Sequence, residues 1–321
     1  MISSDRPNPL LNWIPHKLLM ENNQVLCKWL YISNKRFTEP FFEETISRSL
    51  SNSENSKRYK SVSDLETIIQ VSEEIEFVQP SAFIFHVSRC GSTLLSQLLC
   101  MDESNIVLSE VPLIDEILRL HFKTNNVREK KTEELLLSVI KLLGQKKTGN
   151  EKCLFIKLDS WHICFYKTFR KLFPAVPFIF LYRTPDEVIR SHQKLRGMHS
   201  VPEIIEPQVF GFSSNEIKDI NLDEYLAKVL ECYFRNILSI TEDDKKTLLL
   251  NYKDGGLSMV QAIKKNSGYD LDDRLINEMK KRNQFHSKHP DKKFSEEKIN
   301  LLVPPYQEKI MELYNQLEEK K

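Results

Sequence analysis

Glycine is scarce here: 8 residues in 321, about a third of the ~7% usage of globular proteins. Each glycine therefore carries weight, and Gly91 carries the most. Charge of one sign is not in excess. Lys and Arg number 46 against 45 Asp and Glu, a net +1, so no global field draws the chain to nucleic acid or an anionic membrane. Any anion site has to be local. The six cysteines, at 27, 90, 100, 153, 164 and 232, include no C-x-x-C pair. That excludes common zinc spacings and a paired disulfide framework, and implies reduced thiols in a cytosol-like compartment. No apolar run approaches membrane-spanning length, and the start, MISSDRPNPLLNWIP, has no secretory h-region. A cytoplasmic protein is expected.

What is present is a soluble globular composition, 40% hydrophobic and 28% charged, long enough for one large domain or two small ones. Ser81 to Leu99 reads as strand, polar turn and helix. Ala82 to Phe85 is a buried-strand run. His86 to Gly91 is a tight turn, after which Ser92 or Thr93 caps a helix with Leu94, Leu95, Leu98 and Leu99 on one face. A loop feeding a helix N-terminus collects anions on free backbone N–H groups, although ordinary βα turns share the pattern.

Residues 1–80 lead into this stretch as an N-terminal extension expected to pack on a core formed by 81–321. In the extension, 25–31 predicts a strand. A helix is expected from Glu39-Pro40 with Phe41, Phe42, Ile46 and Leu50 on one face, and the serine-rich 49–63 reads as a loop. Further strands are predicted at 105–109, 153–158, 176–182 and 247–252. Helices are expected from Pro112, from Thr132 to Gly144, from Asp159-Ser160 through Leu172, and from Thr184 to about 195. Others follow at 222–240, 257–266, 271–283 and 306–319, while 197–215 looks irregular. Thr184-Pro185-Asp186-Glu187 has the form of a capping box with proline at the first helical position. Alternating short strands and helices imply an α/β fold with a mainly parallel sheet. In such sheets ligands gather beyond the C-terminal strand ends. The turns at Arg89, Glu110 and Arg183 are therefore expected on one edge.

A Walker A loop is excluded, because its first glycine falls at His86 and its lysine at Ser92. Cys90 lacks the downstream arginine of a cysteine phosphatase loop. Arg89-Cys90-Gly91-Ser92-Thr93-Leu94-Leu95 resembles the R-S-G-S-T-L-L loop of sulfotransferases. In that family the loop holds the 5′-phosphosulfate of the donor 3′-phosphoadenylyl sulfate (PAPS). Cys90 stands at the serine position. Arg183 and Ser191, eight residues apart, resemble the pair that grips the donor's 3′-phosphate. Glu110-Val111-Pro112-Leu113 is similar to the E-P-L segment of carbohydrate-type sulfotransferases with one inserted valine, and its glutamate is the implied base. The likeness is fullest over about 80–195. Asn251-Tyr252-Lys253-Asp254 loosely resembles the family's Y-E-D-L segment, and Pro305-Tyr306 belongs to a family-like C-terminal P-x-Y helix.

The resemblance implies a three-layer, P-loop NTPase-like α/β architecture with a parallel sheet flanked by helices. It also implies sulfuryl transfer from PAPS to a hydroxyl or amine. Donor contacts fall to Arg89, Cys90, Gly91, Ser92, Thr93, Leu94, Arg183 and Ser191. Glu110 becomes the general base, and Arg89 a stabiliser of leaving-group charge. Sulfuryl transfer spreads charge over equatorial oxygens much as phosphoryl transfer does, so positioning and positive charge suffice and no metal is expected. The near-neutral charge leads us to expect a small-molecule, sugar, lipid or peptide acceptor rather than nucleic acid, with 197–215 the expected specificity segment. His86, His162, His192 and His199 are competing bases, and Lys157 and Asp159 are secondary acceptor contacts. The basic residues Lys280, Lys281, Arg282, Lys288, Lys292 and Lys293 read as a solvated face. The segment 286–290 lacks the R-x-G of the family's late basic loop. A P-loop kinase or hydrolase with an atypical loop, and an inactive module that binds the desulfated product 3′,5′-adenosine bisphosphate (PAP), are the other readings.

Overall fold

A computed structural model describes residues 9–22, 24–56, 61–124, 127–285 and 308–321. The sequence expectations at 57–60, at 286–290, at Lys292 and Lys293 and at Pro305-Tyr306 lie outside them. The chain divides into two compact units, Met1–Ser81 with Leu99–Ile156, and Ala82–Leu98 with Lys157–Lys321.

In the first unit, β1 (Trp13–Glu21) and β2 (Gln24–Tyr31) pair antiparallel with a register shift between Pro15 and Lys17. β3 (Val62–Asp64) adds to the other side of β2. Asp64 ends β3 and caps the helix Leu65–Glu73 by accepting the Thr67 N–H at 2.8 Å. The long helix Glu129–Leu143 buries Leu135, Leu136, Val139, Ile140, Leu142 and Leu143, an apolar stripe at helical spacing. It begins a turn earlier than Thr132. Gln145, fully buried just past its end, donates to the carbonyls of Trp13 and Leu142 and accepts from Asn12 N.

The chain's larger sheet orders its five parallel strands β5 (Asn105–Ser109), β6 (Cys153–Lys157), β4 (Pro80–His86), β7 (Phe178–Tyr182) and β8 (Thr247–Asn251), with helices flanking it. This is the α/β class expected from the sequence. β7 pairs parallel with both β4 and β8. Buried on both faces, β7 and the Ala82–Phe85 run of β4 read as unbroken apolar stretches, while β8 is half-buried over its first three residues. Phe85 stacks on Phe180 at 5.1 Å, and Phe83 meets Phe169, Phe173 and Phe178 within 5.3 Å. Such aromatic pairs stabilise beyond their buried area by about 0.5–1.5 kcal/mol each.

Two sequence expectations are corrected locally. The segment after Asp159 is a 3₁₀ turn, Ser160–Phe165, before the α-helix Tyr166–Leu172 begins. The Thr184 side chain does not cap the helix Pro185–Lys194, because its hydroxyl bonds the Glu187 carboxylate instead.

Candidate functional site

The loop after β4 gathers three residues of left-handed φ within four positions. Ser88 and Arg89 both take left-handed φ, 68° and 49°, and Gly91 follows at 79°. Helix Ser92–Leu99 starts at once, its first turn closed by Leu95 N–H donating to Gly91 O at 3.0 Å. Non-glycine residues at positive φ are uncommon, and consecutive ones cost of order 1–3 kcal/mol each unless the surroundings hold them. Side chains hold them here. The Ser88 N–H donates to His86 Nδ1 at 3.0 Å, and Arg89 donates from Nη2 to Leu195 O at 2.7 Å. The Cys90 thiol donates to Leu181 O on β7 at 3.3 Å. Cys90 is fully buried, and burial pushes its thiol up to about 12. It anchors the loop to the sheet and is no nucleophile.

Gly91 is required twice over, by its φ and by its neighbour. A Cβ there would stand 2.5 Å from Tyr252 Cδ2 and 2.7 Å from Cε2. Tyr252 opens the turn after β8. Its ring also carries Arg183, whose guanidinium carbon lies 4.4 Å from the ring centroid. Arg183, the first residue beyond β7, donates from Nη1 to Arg89 O at 3.2 Å and from Nε to Glu187 at 3.0 Å. Burial opposes charge on Glu187, but the hydrogen bonds from Arg183 and Thr184 prevail and keep its carboxyl below the usual range. One tyrosine thus sets both the closest backbone of the loop and the second arginine.

Lys157 adds a cation from the end of β6. It is 1% exposed, and its Nζ stands 3.5 Å from Thr93 Oγ1. Thr93 is half-buried, whereas Ser92 is buried. His192, on the helix after Arg183, reaches Ser88 Oγ at 3.1 Å with Nε2. Gly197 N–H donates to its Nδ1 at 3.1 Å, so the neutral ring carries its proton on Nε2 and donates to Ser88. Burial, then the charges of Arg89 and Arg196, push this imidazole down to about 3.

The sequence-named residues fall as follows. Arg89 to Leu94 and Arg183 come together around one loop, with Tyr252 and Lys157 beside them. Ser191 sits two turns into the helix Pro185–Lys194, half-buried, next to His192. Glu110 belongs to the first unit, directly after β5, half-buried at φ 55°, and the helix Pro112–Leu118 follows with proline at its start. Asp159 is taken up in capping the 3₁₀ turn with His162. The expected acceptor segment 197–215 holds two 3₁₀ turns and starts a short helix, Ser214–Ile217. Lys280 and Lys281 are exposed on the helix Asp273–Arg282. Sequence reasoning did not couple Tyr252 to Gly91 or His192 to Ser88, because neither pair leaves a local pattern.

No protein-family model and no curated protein matches the chain. Solved structures do. Sulfotransferase STF9 of Mycobacterium avium is similar at 13% identity and a TM-score of 0.50, over 78% of this chain and 81% of that one. A sulfotransferase domain from the curacin biosynthetic pathway is similar at 16% identity and a TM-score of 0.50, over 76% of this chain and 99% of that domain. The fold of this chain is the sulfotransferase fold. Among the described residues, no helix is long and apolar enough to cross a membrane.

Proposed function

We propose that the protein is a sulfotransferase that moves a sulfuryl group from PAPS to a hydroxyl or amine acceptor. Arg183 carries this proposal. Its guanidinium, fixed between the Tyr252 ring and the Arg89 carbonyl, brings a second cation to an anion-type loop that lacks the Walker glycine and lysine. A donor with phosphate at both its 5′ and 3′ ends matches two such grips.

The loop fits that donor. Its turned backbone leaves N–H groups at the helix N-terminus for anionic oxygens. Gly91, Ser92, Thr93 and Leu94 supply those groups, Arg89 neutralises charge gathering on the leaving 5′-phosphate, and Cys90 holds the loop from the sheet side. Lys157, buried beside Thr93, adds positive charge toward the group in flight. Arg183 and Ser191 take the 3′-phosphate. Glu110 accepts the acceptor's proton, a general-base role worth about 10²–10⁴-fold. His192 is a poor rival for that role, since its pKa near 3 makes it too weak a base, and its Nε2–H is committed to Ser88.

Differential scanning fluorimetry tests the donor. PAP should raise the melting temperature by several degrees more than ATP with magnesium, because two phosphate grips act together. Equal or greater stabilisation by ATP with magnesium would favour a kinase and sink the proposal. Glu110→Ala should retain PAP affinity within about twofold and lose 10²-fold or more in sulfuryl transfer from labelled PAPS. Unchanged turnover would remove Glu110 from the mechanism. PAP binding with no transfer by the unaltered protein to any acceptor class would leave an inactive binding module.

A further inference from the structure

Two of the six cysteines meet in the second unit. Cys164, in the 3₁₀ turn Ser160–Phe165, places its Sγ 3.9 Å from Sγ of Cys232 on the helix Leu222–Asp243. Both are half-buried. Asn236, one turn further along that helix, donates from Nδ2 to Cys232 Sγ at 3.4 Å and to the Cys232 carbonyl at 2.8 Å. The Cys232 sulfur therefore accepts from a side-chain amide and shares a hydrogen bond with the neighbouring thiol, whereas Cys164 has no such side-chain amide donor among the described residues. The other four cysteines differ. Cys27, Cys90 and Cys100 are buried, and burial pushes each up to about 12, while burial also raises Cys153.

We propose that Cys164 and Cys232 form a dithiol–disulfide couple that responds to hydroperoxides, with Cys232 the attacking sulfur and Cys164 the resolving one. The hydrogen bond shared with Cys164, together with that from Asn236, outweighs burial and holds the Cys232 thiol below its usual range. Cys164, as donor and buried, is pushed well up. Cys232 is thus the sulfur of the pair that more readily gives up its proton, and the thiolate is the nucleophile. It attacks one oxygen of the peroxide. With hydrogen peroxide an S–O bond forms, the O–O bond breaks, and the departing hydroxide takes up a proton as water, an alkyl hydroperoxide leaving an alcohol in its place. Cys164 then gives up its proton and attacks the Cys232 sulfenic sulfur. The S–S bond forms, the S–O bond breaks, and a second water leaves. Two electrons pass from the two thiols to the peroxide. Closure to a bond of about 2.05 Å asks each sulfur to move by about 1 Å, within reach of side-chain rotation.

The bridge would tie the 3₁₀ turn to the long helix beside a buried polar cluster. Ser160 Oγ, in that turn, lies 3.3 Å from His199 Nδ1 and 3.4 Å from the Tyr233 hydroxyl, and the His199 ring meets His192 edge-on at 4.9 Å. Reduction of the couple by a dithiol restores both sulfhydryls.

The test uses the full chain, reduced and then treated with equimolar hydrogen peroxide under native conditions. Intact-mass spectrometry should show a loss of about 2 Da, two hydrogens, reversed by dithiothreitol. Trypsin should release peptides 158–167 and 229–235 as one cross-linked species. In Cys164→Ser, a cyclic 1,3-dione should trap a sulfenic acid at Cys232. In Cys232→Ser, labelling at Cys164 should be about tenfold slower or more. A bridge between other cysteines or between two chains, an unchanged mass, or equal labelling of the two variants would each overturn the couple or its polarity. The wild-type mass and peptide readouts decide the couple even if a variant fails to fold.

Discussion

Gly91 shows how tightly the loop is specified at the level of a single residue. Alanine there meets an aromatic ring at 2.5 Å while holding φ 79°. Gly91→Ala should destabilise the protein by about 1–3 kcal/mol in urea unfolding. Tyr252→Ala should remove the clash, so the double variant should lose clearly less than the sum of the single losses. Strict additivity would show that Tyr252 does not set the loop. Cys90, by contrast, was legible only by its position in the motif. Nothing in R-C-G-S-T says that its sulfur turns to the Leu181 carbonyl, since the partner lies on a strand about 90 positions away. The link from His192 to Ser88 is hidden for the same reason.

At the scale of elements, the five strands of the larger sheet were readable because each is an apolar run bounded by polar turns. Four strand ends coincide with the motif residues for that reason, the polar turns beginning where the apolar runs stop. β1 was not readable. It carries Pro15 and a register shift, and its outer half is largely exposed, so neither alternation nor an unbroken apolar run marks it. The capping box at Thr184 failed because the pattern counts residue types and not competitors, and Arg183 draws Glu187 into an ion pair. That turn, strand end to helix start, is a unit with its own prediction. Arg183→Ala removes the Tyr252 stacking, the Arg89 carbonyl contact and the proposed 3′-phosphate contact together. PAP affinity by calorimetry should fall by about 10–100-fold, the scale of charge-assisted hydrogen bonds, and Arg183→Lys should recover only part of it. Unaltered affinity would exclude Arg183 from the donor site.

For the whole molecule, two buried histidines, one in each unit, set an acid limit. Burial and the nearby charges of Lys28 and Lys17 push His16 down to about 4, and His192 lies near 3. Unfolded, both imidazoles take up a proton near pH 6.5. Their contribution to stability is therefore complete above pH 6.5 and declines as the pH falls, by up to about 1.4 kcal/mol per pH unit for each ring. Urea unfolding at pH 7, 6 and 5 should show this decline before most carboxylates titrate, and His192→Asn should make it shallower. A flat profile from pH 7 to 5 would mean that neither ring is held neutral by the fold.

The contact between Gly91 and Tyr252 also orders events in time. The two residues are about 160 positions apart, and a ribosome adding ~5–20 residues per second needs roughly 10–30 s to pass from one to the other. Throughout that interval the growing chain already contains the whole loop motif but not the ring that shapes it. A loop encoded early is completed only by a residue synthesised late, so the proposed donor recognition requires the second half of the chain as well as the first.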